Sequence, residues 1–436
     1  MSKEELTYNG GEDFDLRQIL LNGRKSNLYE KTKFFENFIQ DLVDRKEMQH
    51  LRIITSGADR EVIVQDRYTG KTKKMLMFGS NNYLGLSNHP YVIEKAQKIL
   101  KKFGAGIGGP PLLNGYTSLH RGLEERLADM KKSEDAIIYS SGYGANVGLI
   151  TALVNPDDII IHDAYSHASF SDGVKMSGAQ SYKFPHNKLG QLKKLLINKH
   201  RNSTNDVFVG VEGVYSMDGD TAPLDKIVPL CKSSNSILIV DDAHGTGVMG
   251  KTGKGTAEHY GVEGEIDITM GTFSKTFAVT GGFVAASKPV INYLQFFARS
   301  YMFSASLPPV IIATVLAELD VIEKEPELIE SFRSNIEYIS SGLNKLNFDI
   351  NTETGIIPLR VPEGMNIRKA AYEFHKRGIF LNSVEYPAVP LTQQRFRLSI
   401  MATHTKNDMD RLLKAIADVW SKFADTNTPK HRLEAA

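Results

Sequence analysis

Between Ala136 and Pro289 the sequence alternates short apolar runs with helical patterns, and this rhythm limits the chain to few architectures. The runs are Ala136–Tyr139, Asp158–Ile161, Val207–Val211, Ser236–Val240, Asp267–Met270 and Gly282–Ala286. Several are apolar throughout, as strands become when helices cover both faces of a mainly parallel sheet. The fold class is therefore α/β, with a site expected in the loops at the strand ends.

Outside this core the texture changes. Residues 1–55 are charged, with an amphipathic stretch at Phe34–Ile39 whose spacing predicts a helix laid on the body or on a second subunit. Asp66–Gly70 reads as a turn and Met75–Phe78 as a short strand. A charged helical stretch follows over Leu316–Leu343, kinked or divided at Pro326. Strand-like Ile356–Arg360 and Arg395–Ile400 then bracket another helix. This predicts an N-terminal helical extension (1–55), a large α/β domain (56–309), a small α+β domain (310–425) and a tail (426–436).

Composition removes several function classes. Lys plus Arg (52) and Asp plus Glu (51) nearly cancel, so no global field draws the chain to nucleic acid. The lone cysteine, Cys231 in Ile-Val-Pro-Leu-Cys, excludes an internal disulfide framework and a cysteine-rich metal site, so no metal is expected. Its setting reads as a buried thiol. Met1–Tyr8 lacks the apolar segment of a signal peptide, and no run of about 20 apolar residues occurs to span a bilayer. The expected location is the cytoplasm, with peripheral membrane contact compatible.

Gly245–Thr252 formally matches the phosphate-loop pattern G-x4-G-K-[ST]. A working loop needs a helix opening at its Lys-Thr, so that backbone amides point at the phosphates. Gly253 and Gly255 break that helix. The match is therefore set aside.

Three other strand ends carry chemistry. Asp267–Thr276 delivers Lys275 among small hydroxyl residues, followed by Thr280-Gly281-Gly282. Such a lysine can form a Schiff base with an aldehyde cofactor. Alone, a lysine in a polar loop is most often merely solvated. Ile237–Gly247 brings Asp241 to the end of an apolar strand, with His244 three residues on. A carboxylate there suits a pyridinium nitrogen, although a loop cap and a surface histidine would explain it equally well. Tyr139–Asn146 places Gly142 and Gly144 between a strand and a helix, where amides can approach a phosphate. Each signal alone is weak. Their order along the chain, phosphate cup, acid, then lysine, is far more specific.

These residues resemble the α-oxoamine synthase family of fold-type I pyridoxal-phosphate (PLP) enzymes over roughly residues 50–420. The likeness extends to Ser80–Leu86, Ser166–Ser169, Glu212–Asp220, Phe303–Pro309 and Arg397–His404. It implies a large domain with a mainly parallel seven-stranded sheet, a small α+β C-terminal domain, PLP as cofactor and a homodimer with shared active sites. Matched motif by motif, it implies that Lys275 carries the cofactor and acts as acid and base. Asp241 would face the pyridine nitrogen, His244 the phenolic oxygen, and His167 would stack on the ring. Gly142, Tyr143 and Thr272 would bind phosphate, joined by Ser304 or Ser306 from the partner subunit. Glu212 and Ser216 would line the remaining edge. Arg397 would receive the substrate carboxylate through its planar fork, with Asn81 assisting across the dimer interface.

The implied reaction is decarboxylative condensation of a small L-amino acid with an acyl thioester, carried by coenzyme A or acyl carrier protein. Leu76–Ser80, Met270–Lys275, Arg299–Ser306, Pro387–Pro390 and Leu398–Thr405 lean toward the serine palmitoyltransferase branch, which makes long-chain 3-keto amino lipids. Gly108–Tyr116 departs from it: Pro110-Pro111 replace a Ser-Arg pair, and Gly115-Tyr116 with Ser118 and His120 resembles 8-amino-7-oxononanoate synthase. Serine and cysteate (the sulfonolipid branch) lead; alanine and glycine, as used by that synthase and by 2-amino-3-ketobutyrate CoA ligase, stay open. A non-catalytic family subunit would be expected to lack Lys275.

Overall fold

The structure is a computed structural model that describes residues 26–200 and 205–424, together with Tyr8, Gly10 and Leu16. The tail expected at 426–436 lies outside the described residues. The helix Leu28–Asp44 opens on a capping box in which Asn27 and Glu30 satisfy each other's backbone donors. It buries Phe34, Phe38 and Leu42, and the Arg368 guanidinium lies 5.2 Å over the Phe38 ring, so the helix is laid on the body of its own chain.

Strands β1 (Ile53–Ile54), β2 (Glu61–Gln65) and β3 (Thr72–Met77) follow. The large sheet comprises β4 (Asp135–Tyr139), β5 (Ile159–Asp163), β6 (Gln180–Phe184), β7 (Val207–Glu212), β8 (Ile237–Asp241), β9 (Ile268–Thr272) and β10 (Gly282–Ala286). Its order is β4-β10-β9-β8-β7-β5-β6, with β10 alone antiparallel to its neighbours. Residues of β4, β5, β7, β9 and β10 are buried at every position, as helices on both faces demand. The apolar runs read from sequence fall on six of these strands. The seventh, β6, is a polar edge strand with exposed positions, so it carries no apolar signature.

Pro326 divides the C-terminal helical stretch into Pro309–Lys324 and Glu327–Lys345. Strands β11 (Ile356–Arg360), β12 (Ile379–Phe380), β13 (Asn382–Val384) and β14 (Arg395–Ser399) complete the chain, with helices Ile367–Lys376 and Lys406–Ala424. β11, β14 and β13 form one antiparallel sheet, whereas β12 pairs in parallel with β3. Residues 61–77 thus join the C-terminal third of the chain rather than the large sheet. That pairing carries the loop after β3, and with it Asn81, toward β13 and β14. Cys231 is buried, and burial pushes its thiol up to about 12. No helix of the described residues is long and apolar enough to cross a membrane.

Candidate active site

The carboxyl ends of β4, β5, β7, β8 and β9 lie at one edge of the large sheet. In register, Glu212 pairs with Asp241, and Asp241 with Met270. A cavity of about 500 Å³ opens there. Its walls include Asn81, Gly142, Tyr143, His167, Glu212, Ser216, Asp241, His244, Thr272, Lys275 and Arg397, residues up to 316 positions apart in sequence.

Lys275 follows β9, in a loop closed by Val279 N–H donating to Phe273 O at 2.9 Å and Phe273 N–H to Gly281 O at 3.0 Å. Gly281 needs its glycine, because its φ of +128° is forbidden to side chains and a Cβ would strike Phe273. Burial lowers the Lys275 amine from its usual range, and the Arg397 charge adds to this, against Asp241 and Glu212. A lysine biased toward its neutral form is what carbonyl chemistry requires.

Asp241 and its neighbour Asp242 do different work. Asp241 accepts from Asn146 Nδ2 at 2.7 Å and from the Ala243 amide at 3.1 Å, and burial raises its carboxyl above the usual range. A protonated heteroaromatic nitrogen set against it would reverse that penalty. Asp242 points away and pairs with Lys131 at 2.7 Å, both side chains nearly fully buried, while also accepting from Thr246 and Thr256. It anchors the loop that carries His244. Burial holds the His244 imidazole well below its usual range, helped by the Lys275 and Arg397 charges, and its Nδ1 lies 2.8 Å from Tyr83 Oη. His167 caps the helix Ala168–Ser177, with Nδ1 accepting from the Ser169 amide at 3.3 Å and lying 2.7 Å from Ser169 Oγ. Burial likewise keeps the Glu212 carboxyl well above its usual range, and its Oε1 has no protein partner.

The helix Gly142–Leu153 begins at the cavity, with Ser141 Oγ accepting from the Gly144 amide at 2.9 Å. A Cβ at Gly142 would stand 2.7 Å from Thr272 Oγ1, so only glycine lets the amides and that hydroxyl share one cup. The Tyr143 hydroxyl turns outward to Asp172 at 2.6 Å, which leaves its backbone amide as the group facing the cup. Arg397, from β14, is gripped by neutral acceptors: Ser216 O at 2.6 Å, Asn81 Oδ1 at 3.0 Å and Ser399 Oγ at 2.9 Å. Its charge is oriented but not neutralised, as an anion receptor requires.

Within the single chain Asn81 lines the cavity and bonds Arg397, because the β3–β12 pairing delivers it there; the expected contact across a subunit interface would add to this arrangement. Ser304 and Ser306 stand apart from this cavity, beside Tyr116 and His120, where the Ser306 amide donates to Gly109 O at 3.1 Å. Sequence reasoning also passed over Asn146, Ser169 and Tyr83. Asn146 lies one helical turn after Gly142, so the cup and the Asp241 clamp share a face, a spacing that was available. The set-aside phosphate loop is filled by its own chain: the Glu258 carboxylate accepts from Thr252 N, Thr252 Oγ1 and Lys254 N at 2.8–3.0 Å.

Residues 73–416 match the family model for aminotransferase class I and II. The serine palmitoyltransferase of Bacteriovorax stolpii is 39% identical over 364 residues, 83% of this chain and 86% of that protein. The 8-amino-7-oxononanoate synthase of Lysinibacillus sphaericus is 36% identical, covering 88% of this chain and 97% of that one. A serine palmitoyltransferase structure containing PLP superposes with a TM-score of 0.85 at 31% identity, over 92% of this chain and all of the other. Fold, cavity and relatives together define a fold-type I PLP-dependent transferase. Within that class the chain belongs to the α-oxoamine synthase family, acyltransferases that condense an amino acid with an acyl thioester. PLP is its cofactor, and the glycine cup, the unpartnered Glu212 oxygen and the depressed Lys275 amine fit that group.

Proposed function

We propose that the chain condenses L-serine with a long-chain acyl thioester, with loss of carbon dioxide, to give a 3-keto amino lipid precursor. The observation that carries this reading is the cation content of the cavity. Among the described residues that line it, Lys275 and Arg397 are the only lysine and arginine. Lys275 is committed to the cofactor and Arg397 to the α-carboxylate. The sulfonate of cysteate would then lack a cation of its own, whereas a hydroxymethyl group meets the neutral polar side chains of Asn81, Ser216 and Asn382. The serine palmitoyltransferase relatives support the same substrate and a long acyl chain.

PLP, when bound, supplies an electron sink for the bond broken at the α-carbon. The protein groups do the rest. Lys275 Nζ would hold the cofactor, and its amine, when free, is placed to take the α-proton and later to return one. Asp241, clamped by Asn146, keeps the pyridine nitrogen protonated. His244 donates to the phenolic oxygen, and His167 covers one ring face. Arg397 would fix the carboxylate and thereby orient the bonds at the α-carbon.

We read the working unit as a homodimer. The Ser304–Ser306 segment, tied to the 108–116 loop through the Ser306 amide and flanked by exposed Phe303, completes the neighbour's phosphate site in this reading, with Ser304 as the partly exposed hydroxyl and the Ser306 hydroxyl buried against Gly115. Titrating holoenzyme with serine, cysteate, alanine and glycine, followed by cofactor absorbance and then by thiol release with palmitoyl-CoA, tests the assignment. Preference for alanine, with turnover on a short acyl thioester ending in a carboxylate, would favour the 8-amino-7-oxononanoate synthase reading instead. Tighter binding of cysteate than serine would defeat the charge argument.

A further inference from the structure

His244 and Arg397 come from different ends of the chain, yet a continuous hydrogen-bonded path joins them. Arg397 Nη1 donates to Asn81 Oδ1 at 3.0 Å. The same Asn81 oxygen lies 3.3 Å from Tyr83 Oη, and Tyr83 Oη lies 2.8 Å from His244 Nδ1. Tyr83 is 1% exposed, its ring is wedged beside Phe332, and a Cβ at Gly355 would already touch it. The phenol therefore cannot swing out to water. It owns one proton, which Asn81 Oδ1 or, in the ring form protonated on Nε2, His244 Nδ1 can accept, and the Arg397 guanidinium reaches the same hydroxyl oxygen. His244 is held neutral by burial and by the Lys275 and Arg397 charges, so it has one N–H to place and one nitrogen to be donated to.

We propose that Tyr83 is a positioning residue that reports occupancy of the carboxylate site at Arg397 to His244, by dividing its single hydroxyl donor between His244 Nδ1 and Asn81 Oδ1. The inference rests on the roles given above to Arg397 and His244. With Arg397 bonded to Asn81, that amide oxygen is already supplied, and the phenol donates at the shorter distance, to His244. Donation into Nδ1 polarises the ring and makes Nε2–H the stronger donor toward the cofactor. A carboxylate at Arg397 draws the guanidinium donors to itself. Asn81 Oδ1 then competes for the phenol proton, and the His244 donor weakens. No covalent bond changes; one hydrogen-bond donor is redistributed. Amino-acid arrival is thereby registered at the cofactor ring before any α-bond breaks.

The test uses holoenzyme and 3-hydroxypropionate, which is serine without its amine and so cannot displace Lys275. The ratio of the visible absorption bands of bound PLP is read at fixed pH, with and without saturating probe, and probe affinity is measured independently by calorimetry. Wild type should change its band ratio on saturation. Tyr83→Phe keeps the ring but removes the hydroxyl; it should bind the probe within about twofold of wild type, yet show less than half of the spectral response. A thermal melt checks that the variant folds. A full response in Tyr83→Phe, or no response in wild type with the probe bound, overturns the relay. Arg397→Ala separates the two readings: loss of probe binding there supports the carboxylate site, and unchanged binding removes the input on which the relay depends.

Discussion

Asp241 and Asp242 are neighbours in sequence, yet the structure assigns one to chemistry and the other to stability, and the division can be tested by a single-atom change at each. Asp242 and Lys131 form an ion pair at 2.7 Å with side chains 3% and 4% exposed. Asp242 also accepts from Thr256 Oγ1 at 2.6 Å, the Thr256 amide at 3.2 Å and Thr246 Oγ1 at 3.1 Å. Its surroundings are too crowded to adjust, since Cβ atoms at Gly213, Gly245 or Gly255 would each stand within 2.4 Å of its carboxylate. Asp242→Asn keeps the volume but turns one acceptor into a donor and leaves the Lys131 ammonium without a counter-charge. Removing one partner of a buried pair costs about 3–5 kcal/mol. In a chain of this size that corresponds to a melting temperature lowered by roughly 3–5 °C.

Asp241→Asn behaves differently. It retains an acceptor for Asn146 or Ala243 and relieves a raised, buried carboxyl, so stability should stay within about 1.5 kcal/mol of wild type, the scale of one hydrogen bond. Its effect should fall on α-proton exchange of the bound amino acid, which slows as pyridinium protonation weakens. Calorimetric melts and exchange into deuterated water, followed by NMR, measure both quantities on both variants. An Asp242→Asn protein melting within about 2 °C of wild type would refute the packing argument. Unchanged α-proton exchange in Asp241→Asn would remove that residue from the chemistry.

Lys275→Ala should lose both turnover and the covalently held cofactor's visible band; multiple turnovers at the wild-type rate would dismiss the lysine. Arg397→Ala should weaken binding of serine, alanine and glycine alike, by about ten- to a hundredfold for a lost charge-assisted contact, read by absorbance titration. Equal affinities in variant and wild type would reject the carboxylate site. Glu318 sits fully buried in the helix Pro309–Lys324 with neither carboxyl oxygen partnered, and burial alone raises it well above 4.5. The unfolded chain thus binds fewer protons at this group than the native one above pH 4.5, and stability falls as pH rises. Glu318→Met should be more stable than wild type by about 1–3 kcal/mol at pH 8, with a smaller gain at pH 5, in urea unfolding at the two pH values. A destabilised variant, or a gain that does not depend on pH, would contradict this account.

What the sequence reveals of this protein divides along the reach of its interactions. The six apolar strands declare themselves because burial on both faces leaves no room for polar residues, and Pro326 marks a helix boundary by its own ring. β6 stays silent since an edge strand need not be apolar, and β12 is too short to show a period. The site residues were legible as positions: a lysine, an acid and a glycine cup each at a strand end, where this class of sheet exposes its loops. Their partners were not. Arg397 meets Asn81 across 316 residues, and His244 meets Tyr83 across 161, contacts made only when β14 pairs with β11 and β13 and β3 takes β12 as a neighbour. Sequence spacing carries no record of such pairings, so the bond between Asn81 and Arg397 is readable only once the chain has folded. The same reasoning applies to the aspartate pair. A strand end announces that a carboxylate arrives there, but alternation along β8 and its loop sends Asp241 to one side and Asp242 to the other. Only the location of Lys131, 111 residues earlier, decides which of the two is neutralised and which is left to act.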